Sequence, residues 1–152
     1  MIIPHPTFKD DRGSFTAVDT KFQDEDWNQV NVVKNENKFT FRGLHYQTNP
    51  PQTKCLKVVH GSVLDILVDL KTNEVQIYHL DDTKFLYVSK NYAHGYLTLE
   101  PNTIVTYLVK GQYNTESEHS IVWDTIPNVK KVIDDHLMGC KMFISEKDRL
   151  GK

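Results

Sequence analysis

The chain has 152 residues, 39% hydrophobic and 25% charged, enough for one domain with its own core over residues 1–152 and too few for two. Its 18 basic and 20 acidic side chains leave a net charge of −2, which gives no global electrostatic basis for binding nucleic acid, though a local basic pocket for a small anion stays open. No apolar run is long enough to span a membrane, the start MIIPHPTFKDDRG lacks a signal peptide's basic and apolar stretches, and Cys55 and Cys140 have no metal-type spacing. The expectation is a cytoplasmic protein with two reduced thiols.

In chain order, Lys21–Asp26 is the first of only two stretches with helical character. A strand-like segment follows, RGLHYQTNPPQTK (Arg42–Lys54). VLDILVDL (Val63–Leu70) alternates, with Leu64, Ile66 and Val68 on one face and Asp65, Leu67 and Asp69 on the other. EVQIYHL, KFLYVS, HGYLTLE and TIVTYLV are rich in β-branched and aromatic residues and read as further strands. Turn signals separate them at His60-Gly61, Thr72-Asn73, Asp81-Asp82, Pro101-Asn102 and Gly111. The second helical stretch is Asn128–Met138, where Val129, Val132 and Ile133 follow a helical period. Short strands at this spacing predict an all-β sandwich or barrel with a short helical C-terminal piece.

An arginine, a histidine and a lysine fall close together in RGLHYQTNPPQTK. Strict alternation puts His45 on the face of Gly43 and Gln47, with Arg42 on the other. For Arg42 and His45 to share a face the strand must bulge, and Gly43 is the natural place. A lone strand histidine is more often structural than catalytic, so chemistry at His45 needs partners.

RGLHYQ, followed by PQTK, KVVHGSVLDILVDL, AHGYLTL and QYNTESEHSIVW, resembles the dTDP-4-dehydrorhamnose 3,5-epimerase family. DDRGSF (Asp10–Phe15) is similar to the family's early Asp-x-Arg-Gly block, and SEKD (Ser145–Asp148) to its late Ser-x-Lys-Asp block. The blocks come in family order and span nearly the whole chain. The resemblance implies a cupin-type double-stranded β-helix, a jelly-roll barrel, in agreement with the strands.

It also implies a reaction. The family's substrate is a dTDP-linked 4-keto-6-deoxy sugar, whose ketone acidifies the hydrogens on carbons 3 and 5. Epimerisation needs a base on one face, a stabiliser for the enolate oxygen and an acid on the opposite face. No cofactor or metal is implied, because the ketone is the electron sink. By this resemblance His45 is the base, Asp148 holds its other ring nitrogen, Lys54 sets a cation near the developing enolate, and Tyr107 is the acid on the far face. Tyr107 lies thirteen residues after His94 and six before Tyr113, as in the family pattern. His94 would contact the sugar. Arg12 and Arg42 would bind the diphosphate, where a planar guanidinium suits phosphate oxygens. Gln29 and Asn31 match the family's Gln-x-Asn with one residue inserted before Arg42. Tyr113 would stack on the base, with Lys147 and Glu118 lining the same pocket. A homodimer with an exchanged N-terminal strand is expected.

One departure is Ala17, where many family members carry Glu five residues after the early arginine. Three other readings are weighed. A metal-dependent cupin commonly uses two histidines two residues apart, and His45-x-Gln47 breaks that pair. A 3,4-ketoisomerase typically carries a second histidine close to the first, where this chain has Tyr46-Gln47. A barrel that binds a nucleotide sugar without chemistry has no need of Asp148 behind His45.

Overall fold

The computed structural model describes residues 1–3, 5–18 and 26–151. Twelve strands are described: β1 (Ile2–Ile3), β2 (Thr7–Asp10), β3 (Gly13–Thr16), β4 (Gln29–Asn35), β5 (Phe41–Gln47), β6 (Thr53–His60), β7 (Val63–Asp69), β8 (Val75–Leu80), β9 (Phe85–Val88), β10 (Tyr92–Thr98), β11 (Thr103–Lys110) and β12 (Glu118–Ser120). Two α-helices follow, α1 (Pro127–Leu137) and α2 (Glu146–Leu150). The strands form two five-stranded antiparallel sheets, ordered β1-β9-β6-β11-β4 and β12-β5-β10-β7-β8, while β2 and β3 make a separate ribbon. This is the jelly-roll barrel that the family resemblance implied, and it fits the sandwich or barrel predicted from the strand pattern. The expected turns recur as left-handed residues at Gly61, Asn73, Asn102 and Gly111. The helical expectation at 21–26 falls, apart from Asp26, outside the described residues.

Alternation along β7 sends its side chains into two different cores. Val63 and Leu67 point between the sheets, where they meet Leu56, Val58, Leu86, Val88 and Val105. Leu64, Ile66 and Val68 point outward, yet they are buried too, because α1 lies across that face. Helix α1 presents Val129, Ile133 and Leu137, one turn apart, to the sheet. Pro127 starts it, and Met138 ends it in a left-handed conformation. Each fully buried aliphatic of this layer contributes about 1.5–3 kcal/mol. Cys55 is buried on β6, and burial pushes its thiol up to about 12, which makes it an inert packing residue.

Helix α2 is an addition to the sequence expectation, which placed no helix there. Ser145 caps it by accepting from the Asp148 backbone N–H at 3.1 Å, and Gly151 closes it with φ +73. Ser-x-x-Asp is a capping spacing that the sequence expectation did not use. The cap matters because it fixes the direction of Asp148.

Candidate active site

The site starts from a glycine on β5. In the β10 register, His94 opposes His45 and Tyr96 opposes Arg42. His94 and Tyr96 are two apart and share a face, whereas His45 and Arg42 are three apart. One extra residue is therefore absorbed at the Gly43 bulge, and Arg42 and His45 both face inward. Gly43 has φ +131, and a Cβ there would lie 2.5 Å from the Cα of Gly95 and 2.9 Å from the carbonyl oxygen of His94. Only glycine fits.

The bulge also frees a backbone donor. Gly43 N donates to Asp148 Oδ2 at 3.1 Å, while Asp148 Oδ1 lies 2.6 Å from His45 Nε2. The pair joins residues 103 positions apart. Asp148 is 4% exposed, so its carboxylate is held by these bonds in a dry setting. Burial alone would raise its pKa, but the bonds from His45 and Gly43 and the charge of Lys147 outweigh burial and hold it below the ordinary carboxylate value. With Nε2 engaged, the ring's Nδ1 is the nitrogen left for other work.

A second pair stands next to the first. His94 Nε2 lies 2.8 Å from Asp65 Oδ2, and both side chains are almost fully buried. The other oxygen, Asp65 Oδ1, is buried without a hydrogen-bond partner. Lys54 lies on the opposite sheet. Burial lowers the pKa of its ammonium, and the carboxylates of Glu118 and Asp65 pull the other way. Its Nζ is 6.0 Å from the centre of the Tyr107 ring. These groups face one another across the barrel interior. His45, Lys54, Tyr107, Gln29 and Asn31 line a pocket of about 130 Å³ that opens past Tyr113 and Glu118. His45, Lys54 and His94 also bound a second, smaller hollow of about 10 Å³, with Val88, Lys90 and Tyr92.

At the mouth, Glu118 Oε2 accepts from Tyr113 Oη at 3.0 Å and from Lys147 Nζ at 2.6 Å, so these three side chains meet. Gln29 Nε2 donates to Asn31 Oδ1 at 2.6 Å on the inner face of β4. Arg42 faces inward but points away from this pocket: its Nε donates to Asn35 Oδ1 at 2.8 Å, and it lines a separate groove with Asn35 and Asp148. Arg12 is not near His45 within the chain. It sits on the β2–β3 ribbon, paired with Asp10, with its side chain 89% exposed.

Asp65 escaped the sequence reading, although its signal was present. A carboxylate inside the apolar run VLDILVD must find a partner if both strand faces are buried. Tyr92, in the hollow beside His45, carried no such signal. Among the described residues, no three His, Cys, Asp or Glu side chains cluster as metal ligands.

The fold and the inward-facing acid–base pairs define a cupin-type barrel furnished to move protons. Comparison with known proteins gives the family. A model of the dTDP-4-dehydrorhamnose 3,5-epimerase family matches residues 1–152. Among curated relatives, the epimerase of that name from Methanothermobacter thermautotrophicus is 30% identical, over 98% of this chain and 86% of its own length. The Escherichia coli epimerase is 28% identical over 97% and 85%. Among solved structures, the dTDP-4-dehydrorhamnose 3,5-epimerase from Bacillus anthracis, with TDP and PPi bound, superposes with a TM-score of 0.84 at 30% identity, covering 99% of this chain and 91% of that one. The dTDP-6-deoxy-D-glucose-3,5-epimerase from Legionella pneumophila, in complex with dTDP-4-keto-L-rhamnose, does so at 0.83 and 25% identity, over 99% and 85%. This chain belongs to the dTDP-4-dehydrorhamnose 3,5-epimerase family.

Proposed function

We propose that the protein is a cofactor-independent isomerase that inverts carbon 3, carbon 5 or both in a dTDP-linked 4-keto-6-deoxyhexose, in the making of a deoxysugar such as dTDP-rhamnose. The observation that carries this reading is the 2.6 Å contact between His45 and Asp148 on the pocket wall. A side chain that only filled space there would need no buried carboxylate behind it.

The chemistry follows from the positions. With Nε2 held by Asp148, His45 presents Nδ1 to the pocket and takes the proton from the carbon beside the ketone. The C–H electron pair moves into the ring and the ketone oxygen becomes an enolate. Lys54, desolvated on the facing sheet, meets that negative charge in a low-dielectric setting. Asp148 stabilises the imidazolium that forms. Tyr107 returns a proton from the other side, and carbon is inverted. The proton on His45 then passes to solvent as the phenolate recovers its own. His94, backed by Asp65, contacts the sugar.

A pocket of about 130 Å³ is smaller than the roughly 300–1,000 Å³ typical of whole ligand sites. The nucleotide therefore runs outward over the mouth. Gln29, Asn31, Tyr113, Glu118 and Lys147 receive it there, with Tyr113 stacked on the base. Arg42 and Arg12 take the diphosphate, Arg42 by exchanging its bond to Asn35.

We assign Arg12 to the site of a second copy. The β2–β3 ribbon stands off the barrel with Phe8 61% and Phe15 67% exposed, and Val30 and Val32 on β4 are 60% and 63% exposed. Such a row of exposed apolar side chains supports a homodimer in which the ribbon crosses to the partner. The free thiols of Cys55 and Cys140 suit a reducing, cytoplasmic setting. The test is proton NMR of dTDP-4-keto-6-deoxyglucose in heavy water. The protein should wash deuterium into carbon 3 or carbon 5, and a sugar that keeps both protons would rule the reading out.

A further inference from the structure

Tyr92, which lines the small hollow beside His45, carries a hydroxyl that accepts a hydrogen bond and keeps its own proton to donate. Tyr78 Oη donates to Gln76 Oε1 at 2.9 Å, because an amide oxygen can only accept. That fixes the Gln76 amide, whose Nε2 then donates to Tyr92 Oη at 3.3 Å. An amide nitrogen cannot accept, so the Tyr92 proton must point elsewhere. Among the described residues, Tyr92 Oη donates to none. The ring of Tyr92 packs against the interior cluster, and the residue lines the hollow shared by His45, Lys54 and His94.

Register explains why three polar side chains converge there. Gln76 opposes Leu67 and Tyr78 opposes Asp65 on β7, and both partners face the barrel interior. Tyr92 is two residues before His94 on β10 and shares its face. The chain Tyr78–Gln76–Tyr92 thus runs along the inner wall and ends at the sugar end of the site. A phenylalanine would supply the same packing. The hydroxyl and the two residues that orient it need another reason.

We infer that Tyr92 is a specificity residue whose hydroxyl donates a hydrogen bond to a sugar hydroxyl, on carbon 2 or carbon 3, while His45 works on the neighbouring C–H. Gln76 and Tyr78 act through it as positioning residues. The inference rests on the epimerase reading and goes further by assigning sugar recognition to a residue outside the acid–base set. A site built to pair with a hydroxyl penalises a sugar that lacks it, because the donor then loses its partner inside the occupied site.

The experiment measures solvent deuterium exchange by the full-length protein and Tyr92→Phe on three sugars: dTDP-4-keto-6-deoxyglucose and its 2-deoxy and 3-deoxy analogues. On the parent sugar the variant should lose roughly ten-fold in kcat/KM, the size of one net hydrogen bond. On one of the two analogues the variant and the parent protein should be equal. The ratio between sugars for one preparation does not depend on how much of it is folded. An equal loss on all three sugars, or none on the parent sugar, overturns the assignment of Tyr92 and leaves the epimerase reading standing. Absence of exchange by the unmutated protein overturns that reading, and this inference with it.

Discussion

Lys54 shows what the site demands of one side chain. Its ammonium is desolvated on the barrel wall, and burial depresses its pKa against the pull of Glu118 and Asp65. A lysine whose folded pKa is depressed below its unfolded value carries a penalty that is fully present below the folded pKa and disappears as pH rises past the unfolded value. At neutral pH, Lys54→Met removes that penalty while keeping most of the volume. Thermal unfolding should therefore show a gain on the order of 1 kcal/mol, with a large loss of exchange activity, as when strain at a functional site is relieved. A variant both less stable and fully active would contradict the role. At this scale the sequence was informative in places. The pattern points to a bulge at Gly43, because Arg42 and His45 cannot otherwise share a face, and the register has it there. Asp148 next to His45 was legible only through the family motif, since no local pattern connects residues 103 apart. The Tyr78–Gln76–Tyr92 chain was illegible, because it depends on how two strands sit beside a third.

Among the elements, the strands were read well because β-branched and aromatic runs bounded by turn residues leave few alternatives. What alternation could not reveal is that both faces of β7 are covered. A period of two reports two faces and says nothing of what packs on each. The cover is α1, placed by the sequence at Asn128–Met138 and found at Pro127–Leu137. Ile133 is fully buried at the centre of that layer, far in function from the pocket on the opposite face of the sheet. Ile133→Ala should cost about 2–5 kcal/mol in denaturant unfolding. Exchange per folded molecule should stay unchanged, and a specific loss of turnover would show that the outer layer tunes the inner one. Helix α2 is the opposite case. It is short and exposed on one side, and its purpose is local: the Ser145 cap orients Asp148 toward the bulge.

For the whole molecule, the barrel gathers residues from β4, β5, β6, β11 and β12 around one pocket, sets Asp148 of α2 behind His45, and leaves the β2–β3 ribbon outside it. The ribbon and the exposed face of β4 predict a dimer, so sedimentation should give twice the chain mass, and Val32→Glu should give the chain mass with weakened substrate binding. A wild-type monomer with full activity would exclude a site completed by Arg12 of a second copy. The central claim is that one imidazole, held by Asp148, removes the proton. It is tested most directly by the rate of deuterium wash-in at carbons 3 and 5 for His45→Ala against the unmutated protein, with folding checked by thermal melt. The account predicts a fall on the order of 10²–10⁴-fold at every exchanging carbon. Undiminished wash-in by a folded His45→Ala protein would contradict it.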